Sequence, residues 1–373
     1  MPSFTTIIGH ELSVQRLRAA ISNKAVSHAY LFAGPSGVGK TTTALAFAGA
    51  INCENSRSSP GMEIDSCGIC RSCRTIDAGS HPDVHIVQPL MGGPEAEGGD
   101  RRPSAEIRID QARELIRKLS LSPSMGRRKI FIVSPGDSMN SQAQNALLKS
   151  LEEPPAFSTL ILCAESAESM LTTIRSRCQV IPFGLTQPAV IQRCLCERFQ
   201  LSDAEVKTVA AWSQGRVGRA LRMAGAPDWR AARTRLMDQL EAAIKGGPLQ
   251  ALQSALPLRD AAQKLPVTMD GGAGEGLVSE KIAPKLQMQA LLEEMANLMR
   301  DLVIVKSVGI EAAEDLLINL DRKDSLAAFA NRHRESLLRS SLDAVLTAQD
   351  LFRRNVNPQL LLEDLLLEFT FES

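Results

Sequence analysis

Short apolar runs alternate with helix-like segments through the first half of the chain. Runs at 30–33, 84–87, 130–133 and 160–164 are β-branched or broadly apolar, the pattern of strands buried on both faces of a parallel sheet. The first is followed by a glycine-rich stretch and then by Thr41-Thr-Thr-Ala-Leu-Ala, which reads as strand, loop and helix and opens an α/β unit. From about Gln111, the residues Ala112, Leu115, Ile116 and Leu119 recur at helical spacing, predicting a helix with one face on a core and Asp110 as its cap. After Phe183 the strand-like runs stop and the pattern becomes helical. Met288, Leu291, Leu292, Met295, Met299 and Leu302 form a stripe of period 3.6. Asn357-Pro358 reads as the cap and first turn of a terminal helix. That helix is leucine-rich on more than one side, which implies burial within a domain or against another subunit.

The chain has 373 residues, enough for two or three domains at roughly 100–200 residues each. Two stretches interrupt the periodic segments, 89–106 and 266–284, both rich in Gly and Pro; they read as a mobile surface loop and a linker or long loop. The 42 Lys and Arg balance 42 Asp and Glu, so no global basic field draws the chain to nucleic acid or to an anionic membrane. Aromatic residues at 4% argue against a base-stacking platform for single strands. The opening residues lack a basic start followed by an apolar core, and no window is long and apolar enough to span a bilayer. A soluble, cytoplasmic protein without membrane attachment is expected, its eight cysteines held as thiols or metal ligands.

Gly34-Pro-Ser-Gly37-Val-Gly39-Lys40-Thr41 fits the phosphate-binding pattern GxxxxGK[ST] between a predicted strand and a predicted helix. Glycines let backbone N–H groups close around phosphates, Lys40 balances their charge, Thr41 is placed to ligate Mg²⁺ with Thr42 beside it, and the helix N-terminus favours anions. The alternative is a loop that keeps its shape without a ligand. Cys67, Cys70 and Cys73 have two residues between each and the next, with Cys53 upstream at the end of the helix after the loop. Four thiolates are the set that a closed, structural tetrahedral zinc site needs. An iron–sulfur cluster is the rival, although no trailing Cys-Pro follows, and unmetallated thiols are a third reading. His81 and His85 are read as ordinary loop and strand residues, and Cys163, Cys178, Cys194 and Cys196 as small buried ones.

An ATPase of the phosphate-loop class also needs an acidic residue on a neighbouring strand to hold Mg²⁺, and a residue to orient water. The strand ending at Val133 continues into Ser134-Pro135-Gly136-Asp137, with Ser and Pro where an acidic pair is expected. Asp137 comes three residues late and is read as the cap of a helix over 139–151. Losing a general base costs roughly 10²–10⁴ in rate, so independent hydrolysis is not expected. Arg177, after Ser176, reads either as a surface arginine or as a finger inserted into a neighbouring nucleotide site.

With these residues in place, the chain resembles the delta-prime family of clamp-loader subunits of bacterial DNA polymerase III, within the AAA+ proteins. The likeness is carried by HAYLFAGPSGVGKTTTA, the four cysteines, HPDVH, IRIDQARELIRKLSLSP, KIFIVSPGDSMNSQAQNALLKSLEEPP, TTIRSRC, GRVGRAL and NPQLLLEDLLLEF. It implies an α/β AAA+ domain over 1–183 with a zinc module at about 53–73, an all-α lid over 184–226 and an all-α collar domain over 227–373. It also implies a stator in a hetero-pentamer with gamma/tau-type motors and delta, meeting the sliding clamp and primer-template DNA through the complex. Arg177 would act in trans, ATP would be bound without turnover, and zinc would be structural. Relative to motor subunits the chain departs at Ser134-Pro135, around Ala164-Glu165 where a sensor Thr is expected, and at Gly218, which occupies the lid-arginine slot with Arg219 one place late. An ATP-hydrolysing motor subunit is the competing reading. A zinc-dependent DNA-binding module fits poorly with zero net charge.

Overall fold

All four apolar runs are strands, and a fifth joins them. The structure is a computed structural model and describes residues 1–56, 64–89, 106–264, 283–354 and 356–369, so the stretches expected as loops at 89–106 and 266–284 lie outside the described residues except at their ends. Strands β1 (Ala29–Ala33), β2 (Val84–Val87), β3 (Lys129–Val133), β4 (Ser158–Ala164) and β5 (Gln179–Pro182) form one parallel sheet ordered β2-β3-β4-β1-β5. Helices α1 (Glu11–Ser22), α2 (Lys40–Asn52), α3 (Arg71–Asp77), α4 (Ile109–Leu119), α5 (Ser141–Glu152) and α6 (Thr172–Arg175) complete this part.

Successive strand residues face opposite sides, which splits the core into two layers. Phe32, Ile132 and Ile161 pack with Leu17 of α1 and Phe47 of α2. Leu31, Phe131, Leu160 and Leu162 pack with Leu115 of α4 and Leu147 of α5. Strand β5 carried little sequence signal because it is an edge strand whose one buried side chain is Ile181, and its Pro182 is tolerated there for want of an outer partner.

The described residues divide into two compact units, one holding Met1–Ile191 with Gly215–Arg219, the other the helices of 192–214 and those from Ala220 onward. From Pro188 every described element is helical: α7 (Pro188–Arg198), α8 (Asp203–Ser213), α9 (Val217–Gly225), α10 (Pro227–Lys245), α11 (Gly247–Ala262), α12 (Ala283–Val308), α13 (Ile310–Ala313), α14 (Lys323–Arg332), α15 (Glu335–Arg353) and α16 (Pro358–Glu368), with short 3₁₀ turns between. The methionine and leucine stripe of α12 is buried in one core together with Leu236 and Leu240 of α10 and Leu362 and Leu366 of α16. One charged cluster lies in this core. Arg233 is 1% exposed; its Nε and Nη2 donate to Glu294 Oε2 at 3.0 and 2.7 Å, and Nη2 also to Asn319 Oδ1 at 2.7 Å, beneath the Trp212 ring.

Asn357 caps α16 as expected, its Oδ1 accepting from Gln359 N at 2.9 Å. Four leucines of α16 are buried within the unit, while Leu360 and Leu367 remain exposed. Three expectations are corrected. Asp110 lies inside the first turn of α4, because the helix begins at Ile109 with Arg108 before it. Asp137 does not cap the next helix: Asn140 does, accepting from Ala143 N at 2.9 Å. Asp137 instead sits in a 3₁₀ turn and accepts from Glu165 N at 3.0 Å. Cys163 and Cys194 are buried, but Cys178 is half-buried and Cys196 exposed. No helix of the described residues is long and apolar enough to cross a membrane.

Candidate nucleotide and metal sites

The phosphate-loop sequence lies between β1 and α2, at the carboxyl edge of the sheet, where open α/β folds place their ligands. Gly34 is held to the sheet by a hydrogen bond from its N–H to Ala164 O at 3.1 Å. A side chain there would meet Phe183 O at 1.9 Å, so only glycine fits. Gly37 and Gly39 have φ of +80° and +110°, values glycine adopts readily. Lys40 is 8% exposed and donates to Gly34 O and Pro35 O at 2.5 and 2.7 Å. Thr41 is buried and Thr42 exposed.

At the end of β3, Ser134 is 2% exposed and its Oγ lies 2.7 Å from Thr41 Oγ1. The hydroxyl that would ligate Mg²⁺ therefore meets a second hydroxyl at the place where the hydrolysis chemistry calls for a carboxylate. Around the end of β4, where a sensor Thr was expected, Ala164 is buried without a polar side-chain atom and Glu165 follows it exposed. Gly218, in the lid-arginine slot, reaches the loop through its backbone alone, donating its N–H to Gly37 O at 2.8 Å. Two site residues were missed at the sequence level. His10, 6% exposed, sets Nε2 2.8 Å from Val38 O, and burial holds its pKa below the ordinary histidine value, with Lys40 adding to the effect and Val38 and Glu11 opposing it. A histidine so far from the loop in sequence carries no spacing signal. The other is Glu152.

Glu152 closes α5, and its Oε1 accepts from Arg177 Nη2 at 2.7 Å. Arg177 Nη1 and Ser176 Oγ both donate to Thr173 O, at 3.0 and 3.1 Å. Ser176 is exposed and the Arg177 side chain 34% exposed, so the guanidinium lies at the surface, tethered to its own chain.

The four predicted cysteines converge. Cys53 follows the last residue of α2, Cys70 caps α3 and Cys73 lies within it. Their sulfurs all lie within 4.8 Å of one another, with Cys67 and Cys73 3.9 Å apart. A tetrahedron of metal–sulfur bonds of about 2.3 Å has edges of about 3.8 Å, so the set fits a metal ion. Backbone N–H groups are aimed at the sulfurs: Cys67 N at Cys53 Sγ, Cys70 N at Cys67 Sγ and Cys73 N at Cys70 Sγ, at 3.3 to 3.4 Å. Such donors favour thiolates. At Cys67, burial raises the pKa, but donation from the Ile69 and Cys70 backbone outweighs it and brings the thiol to about 6; burial pushes Cys53 and Cys73 up. Asp65 ties the knuckle to the domain by accepting from Phe4 N and Thr5 N at 2.9 and 3.0 Å.

His81 is no ligand: Nδ1 accepts from Asp83 N at 3.0 Å and Nε2 lies 3.1 Å from Ser72 Oγ. His85 stacks on Phe131 in the sheet. The cysteines and the phosphate loop occupy opposite ends of α2, whose 13 residues span about 20 Å. A metal among the cysteines is therefore structural with respect to phosphate chemistry.

Residues 9–186 match the family model described as DNA polymerase III, delta subunit, and residues 280–370 the model for its C-terminal part. The chain is 35% identical to DNA polymerase III subunit delta' of Bacillus subtilis over 179 residues, 48% of this chain and 49% of that protein. It is 38% identical to the Pseudomonas aeruginosa subunit of the same name over 152 residues, 41% and 42% of the two. DNA polymerase III subunit gamma/tau of Mycobacterium tuberculosis H37Rv is 29% identical, covering 97% of this chain and 60% of that one. The chain spans about half the length, or less, of the delta-prime relatives it matches. With the sheet-bearing unit and the C-terminal helices each matched in turn, the chain belongs to the DNA polymerase III delta-subunit family, on its delta-prime branch.

Proposed function

We propose that the chain is a non-hydrolysing stator subunit of the DNA polymerase III clamp loader, helping to load the sliding clamp onto primed DNA. Its partners on this reading are gamma/tau-type motors and delta in a hetero-pentamer; clamp and primer-template DNA are reached through the complex. The observation that carries it is the Thr41–Ser134 hydroxyl pair. The backbone of 34–41 and Lys40 are suited to bind a nucleoside triphosphate such as ATP, while position 134 supplies no carboxylate to hold a cation beside it. Binding without turnover follows. The cysteine knuckle holds one structural Zn²⁺, and 1–183, 184–226 and 227–373 serve as nucleotide-binding domain, lid and collar.

Arg177 is the residue this subunit lends. A guanidinium beside the phosphoryl group transferring in a neighbour's site stabilises developing charge, an effect of roughly 10³–10⁵ in rate. Its exposure and its place two residues past the end of α6 leave it available, provided the bond to Glu152 yields or turns with it. Co-purification with the other loader subunits, followed by ATPase assays of the chain alone, tests the reading. Turnover at the level of AAA+ motors, abolished by Lys40→Ala, would overturn it.

A further inference from the structure

The carbonyl groups of the phosphate loop are almost all occupied by donors of the chain itself. Gly34 O and Pro35 O accept from Lys40 Nζ, Gly37 O from Gly218 N, and Gly39 O from Thr43 N and Thr43 Oγ1. Val38 O is the exception in kind, because its partner is the side chain of a residue far upstream, His10, at 2.8 Å. A carbonyl oxygen only accepts, so Nε2 carries the proton. The ring is fixed in place: it is 6% exposed and packs edge-on to Phe183 at 4.8 Å. Although His10 occupies the N-cap position of α1, its side chain makes no capping bond; its hydrogen bond goes to the loop instead.

We infer that His10 is a positioning residue of the phosphate loop, holding the Val38–Gly39 peptide in the orientation that presents the Gly39 N–H to the phosphates of a nucleotide. In a trans peptide the C=O and the following N–H point in opposite directions. Anchoring Val38 O on His10 therefore turns the Gly39 N–H away from His10. Without the anchor this peptide can flip easily, because the rotation falls on Val38 ψ and on Gly39 φ, and glycine accepts either sign of φ. The flipped peptide would offer a carbonyl oxygen to an anion where an N–H is needed. This inference rests on the nucleotide-binding reading above.

The test uses the full chain, ATP as probe, and the variants His10→Ala and His10→Gln, whose amide can donate as the imidazole does. Labelling valine with carbonyl ¹³C and glycine with ¹⁵N selects the three Val-Gly peptides of the sequence, at 38–39, 217–218 and 308–309. His10→Ala is expected to weaken ATP binding about tenfold, the scale of one lost hydrogen bond, and to move the Gly39 amide resonance while that of Gly309 stays. His10→Gln is expected to restore both. A His10→Ala chain that binds ATP like the wild type, or leaves the Gly39 resonance unmoved, overturns the positioning role alone. A wild-type chain that binds no ATP overturns the nucleotide reading and the ligand proposed here with it.

Discussion

The hydroxyls of Thr41, in the first turn of α2, and Ser134, just past β3, lie 2.7 Å apart and are shielded from solvent. This contact joins the phosphate loop to the strand that in a hydrolase would carry the metal-binding acid, and it does so with two neutral groups. Any anion in the loop is then balanced by Lys40 and backbone dipoles without a protein-held cation.

Nucleotide affinity should therefore depend little on Mg²⁺. Chelating Mg²⁺ is expected to change ATP affinity of the wild-type chain by less than about threefold, under 1 kcal/mol. Ser134→Asp should make binding Mg²⁺-dependent, because a carboxylate then shares the cation with Thr41, yet turnover should stay at background with Pro135 next in line. Titrations with and without EDTA decide the matter; strong Mg²⁺ dependence in the wild type contradicts it.

Elemental analysis is expected to give one zinc per chain, lost in Cys70→Ser. Protons compete with the metal for thiolates. Cys67 is brought to about 6, so it is already largely thiolate at neutral pH and becomes protonated as pH falls through that value. Because burial raises Cys53 and Cys73, protons compete at those sulfurs too, so metal content should fall progressively on acidification, and hydrogen exchange should rise across 64–78 before it rises in the C-terminal helices.

Asp83 links local geometry to acid stability. Fully buried, it accepts from Ser124 N, Met125 N and Gly126 N and lies 3.8 Å from Lys129 Nζ. Burial alone would raise its pKa, but the three N–H donors and Lys129 hold it below the ordinary aspartate value. Its contribution to stability is complete above the unfolded pKa of about 3.9 and is lost as pH falls through the lower folded value. Asp83→Asn should cost about 2–3 kcal/mol at neutral pH, and the deficit should shrink below pH 4. Equal urea midpoints for the two proteins at pH 7 would refute this.

Replacing Arg177 should leave folding and zinc content intact, since its exposed pair with Glu152 is worth less than about 1 kcal/mol. In a reconstituted loader, Arg177→Ala is expected to lower DNA- and clamp-stimulated ATPase in part, as one interface fails. Arg177→Lys should rescue little, because an ammonium lacks the planar fork. Arg175→Ala and Arg219→Ala serve as controls, and equal loss in all three points to a diffuse surface field instead.

Within the helical unit, Glu294→Ala leaves the buried Arg233 guanidinium without its carboxylate and should cost roughly 3–5 kcal/mol. Replacing both, with Arg233→Met and Glu294→Leu, should cost far less, because the desolvated charges leave together. Thermal unfolding of the two variants beside the wild type measures the difference.

Local chemistry and periodicity were legible in the chain itself. The strands at 84–87, 130–133 and 160–164, the stripe on α12, the Asn357 cap and the four-cysteine set each rest on residues near one another in sequence, where backbone geometry dictates what meets what. Strand β5 escaped because an edge strand with a single buried side chain has no alternation to read. Asp110 and Asp137 were misplaced by one turn or less, since helix ends depend on which of several polar residues the surrounding packing lets approach the free N–H groups. Tertiary structure alone decided what joins distant segments: Thr41 to Ser134, Val38 to His10, Arg177 to Glu152, Arg233 to Glu294. Each pair is separated by between 25 and 93 residues. Nothing in spacing brings such groups within 3 Å; in the first unit the sheet order and the helices packed on it do, by fixing where strands and helices end, and in the helical unit the packing of α10 beside α12 in one core does.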